Sequence, residues 1–256
     1  MVALVRVATR FLSMSAAAPR PIVTQNRARN GLITIAPGEG ATHSATVIGP
    51  IHGLGDTNMG WADVAGMLQA SLPHIKFVLP NAPSSPVTLN GGFEMPSWYD
   101  ITSLTDRAFQ PCTGIDESKE TITTLIEEEV ASGIPPSRIV VAGFSQGGAM
   151  SLFAGLQYPK TLAGVCVLSG YLPKEDGFQV ASEATKTPVA HFHGTDDPTV
   201  KIEWARQSVE LVRARGVTQY ELKEYSPLGH SASDEEIQDV QAFLAKVLPP
   251  LNNEEL

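Results

Sequence analysis

The sequence predicts an α/β domain built on a doubly wound, mostly parallel sheet with helices on both faces. Three observations carry that prediction. From residue 32 onward, short apolar runs rich in β-branched residues alternate with longer helix-forming segments, the order that packs helices against a parallel sheet. The run Arg138 to Phe144 is almost wholly apolar, as a strand buried on both faces requires. It leads directly through Gly143-Phe144-Ser145-Gln146-Gly147 into helix formers, so strand, tight turn and helix follow without a linker.

Each element has its own signal. Leu32 to Ala36 and Ala45 to Ile51 read as strands joined by a glycine-containing turn. Trp61 to Leu72 is helical and Ile75 to Leu79 is a strand. Residues 80 to 113, rich in Pro, Ser and Gly, read as one long irregular stretch. Glu117 to Ser132 is an amphipathic helix, with Ile122, Leu125, Ile126 and Val130 on one face and Gly133 as its stop. Gln146 to Tyr158 is a helix with apolar Ala149, Leu152, Phe153 and Leu156. Leu162 to Leu168 and Val189 to His193 are strands, Ile202 to Arg215 a helix and Tyr220 to Tyr225 a strand. The last helix opens on Ser233 and Glu236 in capping-box spacing and runs to Val247. The sequence thus divides into an N-terminal extension over residues 1–31 and a single domain over 32–250.

Composition narrows the function classes. The net charge is −9, which argues against nucleic acid as a general partner. The charge is unevenly spread: residues 1 to 38 carry five arginines (Arg6, Arg10, Arg20, Arg27, Arg29) and no acid. On a helix, Arg6 and Arg10 would share a face opposite Leu4, Val7, Ala8 and Phe11. An acid-free, arginine-bearing amphipathic start resembles a mitochondrial transit peptide. A disordered tail, or initiation at Met14, explains residues 1–20 equally simply. Two unpatterned cysteines, Cys112 and Cys166, imply neither a disulfide framework nor a metal site. They suit a reducing compartment. The expected location is therefore the cytoplasm, or mitochondria if residues 1–20 act as a transit peptide. No apolar run approaches the roughly 18 residues of a membrane-spanning helix.

The Gly-x-Ser-x-Gly around Ser145 carries the chemistry. As a bare pattern it is weak, and a glycine-rich turn with a capping serine would produce it too. Its setting between a buried strand and a helix makes it a nucleophile elbow of the α/β-hydrolase type. A serine hydroxyl is a poor nucleophile near neutral pH and needs a base, itself oriented by an acid. In this fold class the chain order is Ser, then Asp or Glu, then His. Of the six histidines, only His230 lies beyond the acidic candidates of His193-Gly194-Thr195-Asp196-Asp197-Pro198. Pro198 biases Asp197 toward an extended backbone, which favours Asp197 over Asp196 as the acid. His191 and His193 are expected to pack or hydrogen-bond at the strand end. The oxyanion of an acyl-transfer intermediate needs two N–H donors. Gln146, at the helix N-terminus, offers one. Leu54, in the loop His52-Gly53-Leu54-Gly55-Asp56-Thr57, is placed to offer the other.

With these pieces assembled, the chain resembles the acyl-protein thioesterase family, whose members are also described as lysophospholipase- or carboxylesterase-like. The resemblance spans about residues 32–248. It rests on HGLGDT at 52–57, PNAP at 80–83, PVTLN at 86–90, MPSWYDI at 95–101, GFSQGGAM at 143–150, LSGYLP at 168–173, HGTDDPTV at 193–200 and GH at 229–230. It implies an α/β-hydrolase fold and no cofactor or metal. It also implies Ser145 as nucleophile, Asp197 as acid, His230 as base, and the Leu54 and Gln146 amides as oxyanion donors. The implied substrates are S-acylated proteins or lysophospholipids, with transient contact to membrane surfaces. An acyl chain needs an apolar groove, for which Leu89, Met95 and Trp98 are candidates, with Phe93 in the same segment; core packing under a loop would explain any one of them as well. The chain departs from the family pattern at Gly49-Pro50-Ile51, where Pro50 removes a ladder donor and predicts a local irregularity. It departs again in the glycine-rich Asn90–Glu94 loop, where the family forms a lid.

Overall fold

The computed structural model describes residues 20–103 and 110–251. In chain order its elements are β1 (Ile22–Asn26), β2 (Leu32–Ala36), β3 (Ala45–Ile51), α1 (Met59–Ser71), β4 (Ile75–Leu79), β5 (Ser84–Val87), β6 (Phe93–Pro96) and α2 (Ile115–Ala131). They continue with β7 (Ile139–Phe144), α3 (Gln146–Gln157), β8 (Gly164–Leu168), β9 (Val189–Gly194), α4 (Ile202–Ala214), β10 (Tyr220–Tyr225) and α5 (Asp234–Val247). An eight-stranded sheet runs β1-β2-β4-β3-β7-β8-β9-β10. The pairs β1·β2 and β2·β4 are antiparallel and the remaining pairs parallel. This is the α/β-hydrolase fold.

Burial explains why the central strands were legible. Every residue of β3, β8 and β9 is buried, so these strands are mostly apolar, with Thr46, His191 and His193 as the buried polar residues. Alternate residues of β7 serve opposite layers. Ile139 and Val141 join the core under α2, α3 and α4, whereas Val140 and Ala142 join the core under α1 and α5. Helices therefore cover both faces, as predicted. At the sheet edge β10 is less covered: Tyr220 and Tyr225 are buried, Leu222 is half-buried, and Glu221, Lys223 and Glu224 are exposed.

Two differences from the sequence reading have physical causes. The sheet takes in Ile22–Asn26, which lies within the stretch read as an extension. Every residue of that strand is exposed, so no burial pattern marked it. Its register is set by pairing Ile22 with Ala36 through Asn26 with Leu32. Arg29, just beyond it, forms a two-pronged ion pair with Glu128 of α2 at 2.9 Å for both bonds. The folded domain therefore starts by Ile22 rather than Leu32. The transit-peptide reading falls on residues 1–20, of which 1–19 lie outside the described residues.

Second, the irregular stretch contains a hairpin, β5 against β6, pairing Ser84 with Pro96 through Val87 with Phe93. Two of its eight residues are prolines and only Val87 is buried, which hides a strand signal. The strands β2 and β3, consecutive in the chain, are separated in the sheet by β4. At Pro50 the β3·β7 register shifts between Ile48 and Ile51, the irregularity that the missing N–H predicts. Gly49 there has φ +125°, and a Cβ would strike the Ala142 carbonyl.

Candidate active site

The elbow positions Ser145. Its backbone holds φ 56° and ψ −120°, a region that non-glycine residues rarely occupy. The strain is held from both sides. The Ser145 N–H donates to the Leu168 carbonyl of β8 at 2.8 Å. Cβ atoms at Gly143 and Gly147 would collide with the backbone of Gly147 and of Ile51, respectively. Only glycines at those positions let the strand, turn and helix close this tightly.

His230 faces Ser145 across a 2.9 Å contact from Nε2 to Oγ. Its Nδ1 lies 2.6 Å from Asp197 Oδ2. A carboxylate only accepts, so Nδ1 carries the proton and Nε2 presents its lone pair to the Ser145 hydroxyl. Asp197 Oδ1 accepts the N–H groups of Thr199 and Val200, both at 2.8 Å, and the side chain is fully buried. Asp196, the other candidate acid, instead accepts from the Thr195 hydroxyl on the exposed surface at 2.9 Å.

The loop bearing His230 docks onto the turn bearing Asp197. The Asp196 N–H donates to the Leu228 carbonyl at 3.0 Å. A Cβ at Gly194 would run into that same carbonyl, so glycine admits the close approach. The Phe144 ring lies 4.9 Å from the imidazole of His230 and 5.3 Å from Trp61. An apolar wall thus limits where the imidazole can swing.

On the other side of Ser145 lies the His52–Thr57 loop. A Cβ on Gly53 would sit 3.3 Å from Ser145 Cβ, so this loop runs directly against the nucleophile. His52 holds it in shape. Its Nε2 accepts the Ala82 N–H at 3.0 Å, leaving Nδ1 to donate to the Gly53 carbonyl at 2.8 Å. Burial pushes the His52 pKa down, which keeps this donor–acceptor pattern available. The Trp98 indole N–H donates to the His52 carbonyl at 2.9 Å. The Trp98 backbone N–H donates to Gln146 Oε1 at 3.0 Å. Gln146 Nε2 in turn reaches the Tyr99 carbonyl at 2.8 Å. Loop, elbow helix and residues 97–99 therefore form one hydrogen-bonded unit. Gln146 follows Ser145 directly as the first residue of α3, and Leu54 follows Gly53 in the loop that runs against Ser145.

The groove candidates separate. Met95 is half-buried, and its sulfur would lie 3.7 Å from a Cβ on Gly55. Leu89 and Leu54 are also half-buried and pack against the core. The Gly55 N–H donates to the Pro96 carbonyl at 2.8 Å, fastening the hairpin to the His52 loop. Phe93 stands out of the hairpin, 75% exposed. Trp98 is different: at 1% exposure it has no open face, and both its N–H groups are spent holding the site together. Its sequence assignment to an acyl groove is corrected to a positioning role. The anchoring by the His52 ring and by the Gln146 side chain was not legible, because neither partner, Ala82 nor Trp98, is near in sequence.

Fold and site define an α/β-hydrolase whose elbow serine contacts a histidine–aspartate pair. The chain belongs to the phospholipase/carboxylesterase family, whose profile matches residues 33–248. It is 43% identical to acyl-protein thioesterase 1 homolog 1 of Dictyostelium discoideum over 211 residues, covering 81% of this chain and 92% of that protein. It is 43% identical to acyl-protein thioesterase 1 of Gibberella zeae over 223 residues, 82% of this chain and 93% of that one. Among solved structures it is similar to Arabidopsis thaliana SOBER1, with a TM-score of 0.71 at 32% identity, covering 80% of this chain and 99% of that chain. It is also similar to Zea mays acyl-protein thioesterase 2, with a TM-score of 0.72 at 28% identity, covering 85% and 98%.

Proposed function

We propose that this chain is a serine hydrolase that cleaves acyl thioesters, removing S-acyl chains such as palmitate from proteins. The observation that carries this reading is the continuous contact Ser145–His230–Asp197, at 2.9 and 2.6 Å. Its likeness to acyl-protein thioesterases over four-fifths of the chain supplies the substrate class. His230 Nε2 takes the Ser145 proton as Oγ attacks the thioester carbonyl. The amides of Leu54 and Gln146 receive the oxyanion, the latter aided by the N-terminus of α3. The sulfur leaves as a thiol with the proton from His230, and water then hydrolyses the acyl-enzyme with the neutral His230 again as base and its proton returned to Ser145 Oγ. The acyl chain runs along Leu54, Leu89 and Met95. Phe93, at the exposed hairpin, touches the membrane surface on which such substrates sit. Free, buried Cys112 and Cys166 support a reducing compartment, the cytoplasm.

The family description favours one second reading, hydrolysis of lysophospholipids or carboxylic esters at the same site. A chain-length series of acyl thioesters, oxygen esters and lysophospholipids, run on wild type and Ser145→Ala, separates the two. Long-chain thioesters should be turned over fastest, and Ser145→Ala should lose all of them. Faster lysophospholipid turnover would select the second reading. Failure of Ser145 to react with a fluorophosphonate would overturn both.

A further inference from the structure

Behind Asp197 lies a line of buried polar groups that the reaction above does not use. His191 and His193 project from the same side of β9, and Tyr220 opens β10 beside them; all three are at most 1% exposed. The Tyr220 hydroxyl lies 2.9 Å from His191 Nδ1. His191 Nε2 lies 3.4 Å from His193 Nδ1. His193 Nε2 lies 2.7 Å from the Val200 carbonyl. The same Nε2 is 3.6 Å from Asp197 Oδ2, the oxygen that binds His230.

One carbonyl decides the direction of the whole line. A carbonyl only accepts, so His193 carries its proton on Nε2. Burial pushes the pKa of His193 down and that of His191 well down, which keeps both rings neutral. A neutral His193 therefore accepts at Nδ1, and the facing His191 Nε2 is the donor. His191 then accepts at Nδ1, and Tyr220 must donate. Burial also raises the Tyr220 pKa, so that the hydroxyl keeps its proton. The order Tyr220 to His191 to His193 to Val200 has a single orientation.

That orientation closes a ring around the acid. His193 holds the Val200 carbonyl, and the Val200 N–H holds Asp197 Oδ1 at 2.8 Å. Resting on the hydrolase reading above, we propose that His193 is a positioning residue for Asp197, its N–H direction fixed by the Val200 carbonyl while His191 and Tyr220 face its other nitrogen. Neutrality matters here. A second imidazolium beside Asp197 Oδ2 would oppose the positive charge that His230 acquires during acylation. A neutral ring gives the turn a rigid anchor without that penalty.

Imidazole ¹⁵N NMR of the wild-type protein tests the orientation directly. Both His191 and His193 should appear as neutral Nε2–H tautomers from about pH 7 to 9. An Nδ1–H tautomer of His193, or its titration within that range, would overturn the proposal. Kinetics test the role. His193→Ala should lower kcat about 10- to 100-fold with KM changed by less than about twofold. It should also move the low-field proton resonance of His230 Nδ1–H. His193→Gln, which restores an N–H donor, should recover most of the rate. A lowered melting temperature with wild-type kcat and an unmoved resonance would mean a structural role only and sink the proposal. If His193→Ala does not fold, the wild-type ¹⁵N spectrum decides alone, and a His193 that carries its proton on Nδ1 overturns the proposal. Wild type inactive on every acyl ester would remove the hydrolase reading and this proposal together. An inactive Ser145→Ala beside a fully active His193→Ala would remove the positioning role alone.

Discussion

The Trp98 backbone N–H donates to the Gln146 side chain at 3.0 Å, tying the segment after the hairpin to the first turn of the elbow helix. Sequence reasoning valued Gln146 for its amide and Trp98 for its apolar surface. The contact shows that each also supports the geometry around Ser145. Gln146→Ala would leave the buried Trp98 N–H without its partner, whereas the Tyr99 carbonyl keeps the Ser97 hydroxyl at 2.7 Å. The expected loss of stability is about 1–3 kcal/mol, measured by urea unfolding. A loss below about 0.5 kcal/mol would mean that the contact is not holding the segment.

Two glycine-to-alanine changes should move stability in opposite directions. A Cβ on Gly147 meets the Ile51 and His52 backbone, which a side-chain rearrangement cannot relieve. Gly147→Ala should therefore destabilise the fold by about 3 kcal/mol or more. Gly66, inside α1, has open space where a Cβ would go. Gly66→Ala should stabilise by about 0.5–1 kcal/mol. Thermal melts of the two variants beside wild type decide the comparison.

Glu236 gives the fold a specific pH dependence. It is fully buried at the start of α5, its Oε1 has no hydrogen-bond partner among the described residues, and burial raises its pKa to about 8. Asp239 and Asp197 add to that rise by repulsion. The folded carboxyl thus keeps its proton up to about pH 8, whereas the unfolded chain releases it near the ordinary value of 4.5. Unfolding releases a proton throughout that window, so stability falls as pH rises through it. The contribution is about 1.4 kcal/mol per pH unit. Glu236→Gln mimics the protonated group and should flatten the wild-type decline. Parallel melting curves for the two proteins between pH 6 and 8 would contradict this.

Phe93 is the large apolar side chain most exposed among the described residues, 75% open on the hairpin that Gly55 fastens to the site. Phe93→Ser should leave hydrolysis of a water-soluble short-chain ester unchanged. It should lower turnover of a palmitoylated peptide on vesicles several-fold, since burying one phenyl ring contributes about 1.5–3 kcal/mol. Equal loss on both substrates would place Phe93 in the site's structure rather than at a membrane.

Histidine offers the clearest case of what a linear reading can reach. Chain order alone isolated His230, because only that histidine follows both Ser145 and the aspartates. The same reading left His52, His191 and His193 without individual roles. Their functions reside in partners such as Ala82, Tyr220 and Val200, which only folding brings near.

The sequence by itself determined the parallel core strands, the elbow and the choice of Asp197 and His230. Doubly buried strands must be apolar, the elbow needs glycines, and Pro198 restricts the residue before it; these are local requirements that leave local marks. Only the tertiary structure decided that β1 joins the sheet, that β5 and β6 form a hairpin, that Trp98 is buried and that His193 braces the acid. The first two elements are exposed and leave no burial pattern. The last two depend on hydrogen bonds to groups whose position no neighbouring residue encodes.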